Sequence, residues 1–360
     1  MNVGVGRVSA GRGDDGDRWA ADRGLVARTV LALLFVLALP VAFVHVLVWG
    51  LGTALPPALS AVAGVTVRLP TRPPLPVVLV CVALGFLAQY ALAPRLALRS
   101  LGARQVDAES HPELHAAVTR LAIQGNVPVP RVAVATSRVP NAFAVGRRAG
   151  DATVVVTTAL LDTLDARERD AVLAHELAHV RNRDAAVMTL ANFLPTLTVL
   201  VVMVVYYLLA GLLSTVGSVD VRHVDKRSVH WFVVVAVVLV VAAVVTVSVA
   251  AVFWVGSLVL FRLLSQYREF AADRAAAALT GDPAALASAL GRLDAGAARA
   301  PDRDLRDIDG GLEALFLVPV DSSRFEGYRD LISRDVFPAT HPPTAERIAR
   351  LEALAASLER

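Results

Sequence analysis

Two histidines four residues apart, with a glutamate beside the first, sit in the stretch AVLAHELAHVRNRD at residues 171–184. Four residues of α-helix turn the chain by about 400°, so His175 and His179 project from one face, one turn apart. Imidazoles at that separation can share one tetrahedral Zn2+ with bonds of about 2.0–2.1 Å. Glu176 lies about 100° round the same helix, beside the ion rather than on it. A general base is needed at that place, to take a proton from metal-activated water.

A catalytic zinc needs a third protein ligand and an open position. SQYREFAADRAAA, residues 265–277, offers Glu269 and Asp273, one helical turn apart. Glu269 can ligate the ion. Asp273 can accept a hydrogen bond from the non-coordinating nitrogen of a zinc histidine and fix its tautomer. Read alone, both acids could instead be solvated partners of Arg268 and Arg274. The remaining histidines fit this chemistry less well. His45 lies in an apolar block and reads as a hydrogen-bonded side chain. His111 and His115 share a helix face without a third partner, and His223 and His230 fall in a loop between two later blocks.

The elements that must position these groups are unusual for a soluble protein. Of 360 residues, 56% are hydrophobic, and mean hydropathy is +0.58, against about 45–50% apolar residues in soluble chains. The excess is concentrated in four blocks expected to span a membrane, at about 29–52, 75–93, 187–213 and 229–264. The last exceeds the roughly 20 residues a bilayer needs, so its end should continue into water as helix. Two spans separate His179 from Glu269, so both return to one face and the spans can bring the ligands together. Arg18, Arg23 and Arg28 before the first block and Arg95, Arg99 and Arg104 after the second put that face in the cytoplasm. Arg222, Lys226 and Arg227 argue mildly against this. The net charge of +3 has no run of like charges, so nucleic-acid binding has no support. A single cysteine, Cys81, excludes a disulfide framework within the chain.

Outside the blocks lie a polar tail (1–28), a first soluble part (95–186) and a second (265–360). In the first part, HPELHAAVTRLAIQ has helical periodicity, with Leu114, Val118, Leu121 and Ala122 on one face. RVAVATS, NAFAVGRR and ATVVVTT read as strands of a small sheet. Asp165 and Glu168 form a capping box for the helix that carries the histidines, whose apolar face is Val172, Leu173, Leu177 and Val180. In the second part a helix should end near Gly281, and PPTAERIARLEALAASLER is amphipathic; residues 297–340 carry no readable pattern.

AVLAHELAHVRNRD followed by REFAAD resembles the HtpX-like membrane zinc endopeptidases, which are gluzincins. GARQVDAESHPELHAAV, PRVAVATSRVPNAFAVGRR, VVVTTALLDTL and THPPTAERIARL extend the resemblance. It implies an α+β membrane protein: four transmembrane helices with a cytosolic gluzincin-type metalloprotease domain of small β-sheet plus helices. It implies one Zn2+ held by His175, His179 and Glu269, with Glu176 as base. It also implies substrate contacts at Asn141, Ala142 and Phe143, a catalytic His341 donating to the oxyanion, and Arg347 as a further neighbour of the substrate. The expected function is quality control of membrane or misfolded polypeptides, from a multi-pass position in the plasma membrane. Nothing in the chain specifies an oligomeric state.

Two other readings compete. A CAAX-type prenyl endopeptidase has similar zinc motifs but more spans. A membrane scaffold or transporter with a structural metal site would have no need of Glu176 as base.

Overall fold

The computed structural model describes residues 23–100, 102–218, 225–299 and 342–358. The tail to residue 22, His223, residues 300–340 and His341 lie outside the described residues.

Helix α1 (Arg23–Ala63) runs beyond the expected 29–52 at both ends and contains Pro40, Pro56 and Pro57. Proline removes a helical donor, which packed neighbours in a membrane bundle can offset. Helix α2 (Leu75–Ser100) continues past the apolar block into the first soluble part. Strand β1 (Arg104–Gln105), absent from the sequence reading, is followed by α3 (Pro112–Gln124), which buries Leu114, Val118, Leu121 and Ala122 as its periodicity requires. Strands β2 (Arg131–Ala135), β3 (Ala142–Val145) and β4 (Thr153–Thr157) follow. Next come the short helix α4 (Thr158–Thr163) and the histidine helix α5 (Ala166–Asn182).

The sheet order is β1-β2-β4-β3. β2 and β4 are parallel, and the outer pairs are antiparallel. β3 is therefore an edge strand. Its outer residues can be read from the ladder. The Thr157 amide donates to the Asn141 carbonyl, which makes that pair hydrogen-bonded. By alternation, the N–H and C=O groups of Ala142 and Ala144 point away from β4, toward the free edge.

Arg183, in left-handed conformation at φ 56°, separates α5 from α6 (Asp184–Ala191). Asn192 caps α6 before α7 (Phe193–Ser218), so the expected single span at 187–213 is two helices in series. Helix α8 (Lys226–Thr280) is 55 residues long, about 80 Å at 1.5 Å per residue, against a hydrocarbon thickness of about 30 Å. It holds no proline and stops at Gly281, whose φ of 69° suits a C-cap. Helices α9 (Pro283–Arg299) and α10 (Thr344–Leu358) complete the described chain.

Among the described residues, four segments are long and apolar enough to cross a membrane: Leu31–Ala63, Leu75–Ala93, Asp184–Ser214 and Arg227–Thr280. They pack through small clusters such as Phe43, Leu194 and Ala250, and Val78, Val82 and Phe193. Gly85 lets Phe193 approach; a Cβ there would stand 2.7 Å from its ring. The main core lies outside the bundle, where α3, α5, α9, α10, the sheet and the end of α8 meet around residues such as Leu121, Val154, Leu173, Ala276, Leu290 and Leu351.

Candidate metal centre

Helix α5 begins at Asp165, whose side chain accepts from the Glu168 amide at 2.9 Å while Glu168 returns to the Asp165 amide at 3.0 Å. Glu168 is also held by Ser288 and Arg292 of α9. Burial alone would raise its pKa, but these hydrogen bonds hold it below the usual glutamate value. The helix entry is thus pinned to the core before the chain reaches the histidines.

His175 is fully buried, and Glu176 is 3% exposed. The Nε2 atoms of His175 and His179 are 3.0 Å apart. Glu269 of α8 brings Oε2 to 3.6 Å from His175 Nε2 and Oε1 to 3.4 Å from His179 Nε2. The two glutamate contacts are made by different oxygens, so each imidazole Nε2 faces its own carboxylate oxygen, near the edge of about 3.3–3.4 Å of a tetrahedron with zinc bonds of about 2.0–2.1 Å. Among the described residues, His175, His179 and Glu269 form the group able to hold a metal ion.

The outer face of each imidazole meets a carboxylate. His175 Nδ1 lies 3.0 Å from Asp273 Oδ1, and His179 Nδ1 lies 2.6 Å from Asp184 Oδ2. Such contacts orient both Nε2 lone pairs toward a shared ion. Asp273 occupies the position expected of it. Asp184 was missed in the sequence; its signal was an acid five residues after His179, at the start of the next helix. Arg268 pairs with Asp184 at 3.0 Å, so it is not the solvated partner of Glu269 or Asp273, and Arg274 is exposed.

Arg347 of α10 departs furthest from expectation. It is 1% exposed and contacts Asp273 through Nε at 2.9 Å and Nη2 at 2.7 Å. Its Nη1 lies 3.0 Å from Glu269 Oε2. Its fork is engaged by two acids of α8, one of them in the metal group. Burial disfavours its charge, yet Asp273 and Glu269 outweigh that and raise its pKa. Burial likewise lowers the pKa of His175, but Asp273 and Glu269 outweigh it and raise it. Glu176, Asp184, Glu269 and Asp273 face Arg268 and Arg347. Four carboxylates against two guanidinium groups leave a deficit that one divalent cation balances.

Asn141, Ala142 and Phe143 are all buried. The Asn141 amide donates to Thr157 Oγ1 at 2.8 Å. Ala142 packs into the main core. A small recess beside β3 is lined by Ala144, Gly146, Arg147, His179 and Arg183, so one imidazole of the metal group borders it. His341 lies outside the described residues. His45 Nδ1 is 2.8 Å from the Val41 carbonyl within its own helix, far in sequence from this machinery.

Known proteins share this pattern. A protease HtpX homolog of Moorella thermoacetica is 37% identical over 339 residues, covering 94% of this chain and 97% of that protein. Protease HtpX homolog 1 of Streptomyces coelicolor is 40% identical over 283 residues, covering 78% and 83%. The crystal structure of S. mikatae Ste24p aligns with a TM-score of 0.43 at 15% identity, over 91% of this chain and 65% of that one, too distant a match to bear on fold or activity here. The pattern of peptidase family M48 matches residues 108–355. With a histidine pair and a glutamate converging beside an edge strand, and four membrane-crossing helices beneath them, the chain belongs to peptidase family M48, as an HtpX-like multi-pass membrane metalloendopeptidase.

Proposed function

We propose that the resident metal is zinc, held by His175, His179 and Glu269, and that the enzyme cleaves membrane or misfolded polypeptides at the cytosolic face of the plasma membrane. The observation that carries the reading is the convergence of His175, His179 and Glu269, whose ligand atoms all lie within 4.8 Å of one another, with the charge deficit around them. Two imidazoles, one carboxylate and an open corner suit catalytic zinc. The arginines flanking the first two spans support the cytosolic orientation.

When bound, zinc polarises the scissile carbonyl and acidifies water. Glu176 takes the proton of the attacking water and returns it to the leaving amine. Asp273 and Asp184 hold the two imidazoles in the tautomer that leaves Nε2 free to ligate. Arg347 is a positioning residue, fixing Glu269 and Asp273 from behind. His341 is assigned on the family resemblance alone, as donor to the carbonyl oxygen as it gains negative charge.

An extended substrate would pair with the outward N–H and C=O groups of Ala142 and Ala144. Recognition through backbone needs little side-chain selectivity, which suits a quality-control role. The test is Glu176→Gln. Metal content measured by elemental analysis should stay at wild-type level, while cleavage of an unfolded polypeptide falls by about 10²–10⁴-fold. Unchanged cleavage would remove Glu176 as base; metal loss would mean that it supports the ion directly.

A further inference from the structure

A second cleft, of about 360 Å³, lies between the end of α2 and the sheet, and no residue of the metal group lines it. Three arginines from three different elements line it: Arg95 of α2, Arg131 of β2, and Arg147 of the loop after β3. Asp151 is the one acid in its lining, and it is already committed. Its Oδ1 accepts from the amides of Arg147 and Arg148, at 3.0 and 2.7 Å, and its Oδ2 meets Arg147 Nε at 3.3 Å. Arg131 gives one N–H to the Asp151 carbonyl, and its remaining donors are uncommitted among the described residues. Arg95 is exposed and makes no hydrogen bond or ion pair with another described residue. The cleft is therefore strongly cationic.

Its depth relative to the membrane follows from the chain. The apolar segment of α2 ends at Ala93, and Arg95 stands about 3 Å further along the axis at 1.5 Å per residue. Headgroup layers add about 5–7 Å on each side of the hydrocarbon. Tyr90, inside the last turn of that apolar segment, donates to the Arg147 carbonyl at 2.9 Å. The loop carrying Arg147 is thereby tied to the same level. Ala91 and Leu98 supply an apolar wall beside the arginines. A cationic cleft with an apolar side, opening where a span leaves the bilayer, matches the junction of a phosphate-bearing headgroup with its glycerol and first methylenes.

We propose that this cleft binds the headgroup of an anionic phospholipid, its phosphate held between Arg95, Arg131 and Arg147. Val145, Gly146 and Arg147 also line the small recess that reaches His179.

The test is native mass spectrometry of the full chain released from nanodiscs of phosphatidylcholine mixed with phosphatidylglycerol. Wild type should retain phosphatidylglycerol in preference to phosphatidylcholine. Arg95→Gln should reduce that retention about five-fold, and Arg131→Gln likewise. Arg99→Gln, at the same membrane exit but outside the lining, should leave it unchanged. Arg95 is exposed and makes no hydrogen bond or ion pair among the described residues, so its variant serves even if Arg131→Gln fails to fold. Equal losses for Arg95→Gln and Arg99→Gln would reduce the effect to general charge attraction and overturn the site. No preference for phosphatidylglycerol would do the same. Displacement of the lipid by inorganic phosphate would assign the cleft to a free anion and overturn the lipid as its occupant.

Discussion

The two halves of α8 are one unbroken helix in opposite environments. From residue 229 to 264 the outward surface is apolar, with Val244 61% and Val252 71% exposed. From 265 to 280 the pattern inverts. Glu269 and Asp273 are each 4% exposed, while Ala272, Ala276 and Ala277 let α9 and α5 close over them. Lipid tolerates exposed valine because nothing is gained by hiding it from hydrocarbon. The aqueous half can bury carboxylates because each meets a cation or an imidazole within hydrogen-bonding distance. A helix therefore carries no environment of its own; the partners around each turn decide whether a charge or a hydrocarbon belongs inside.

That contrast can be broken most directly at Glu269. Glu269→Ala should empty the metal site and abolish cleavage, as elemental analysis and a peptide assay would read; full occupancy would mean another third ligand. Next comes Arg347→Gln, which leaves two acids buried without their guanidinium. A destabilisation of about 3–5 kcal/mol is expected in detergent unfolding. Wild-type stability would show that the metal alone neutralises the pair.

The shield over the aqueous half depends in turn on Glu168, which ties α5 to α9. Its folded pKa is lowered, so its contribution is complete above the ordinary glutamate value and is lost as pH falls through the lowered one. Glu168→Gln should cost about 1–3 kcal/mol at neutral pH and flatten the acid limb of the stability profile; an unchanged limb would put the acid sensitivity elsewhere. The smallest effect belongs to the lipid half. Val252→Leu should alter stability by less than about 0.5 kcal/mol. A larger loss would indicate a protein partner on that surface rather than lipid.

Much of the site was legible in the chain, for local reasons. Four-residue spacing puts His175 and His179 on one helix face whatever surrounds them. Asp165 and Glu168 mark the start of that helix because the capping bonds span only three residues. Gly281 marks the end of α8 because it adopts the left-handed conformation without a Cβ penalty. Helix α3 buries the four residues its period selects. Block lengths were less informative: valine-rich helix continues past the bilayer, so composition located the apolar part of α8 but not its junction with the aqueous part.

Only the tertiary structure decided which carboxylate serves which histidine. Asp184 and Asp273 are chemically alike, and their assignment depends on how α6 leaves α5 and how α8 returns. It also brought Arg347 against Glu269 and Asp273, and it made β3 the edge by inserting β4 beside β2. Hydrogen bonds and ion pairs act over a few ångströms, and residues separated by a hundred positions come within that range only through packing. Sequence alone thus determined the chemistry available on each helix face, and the assembled core determined which groups meet.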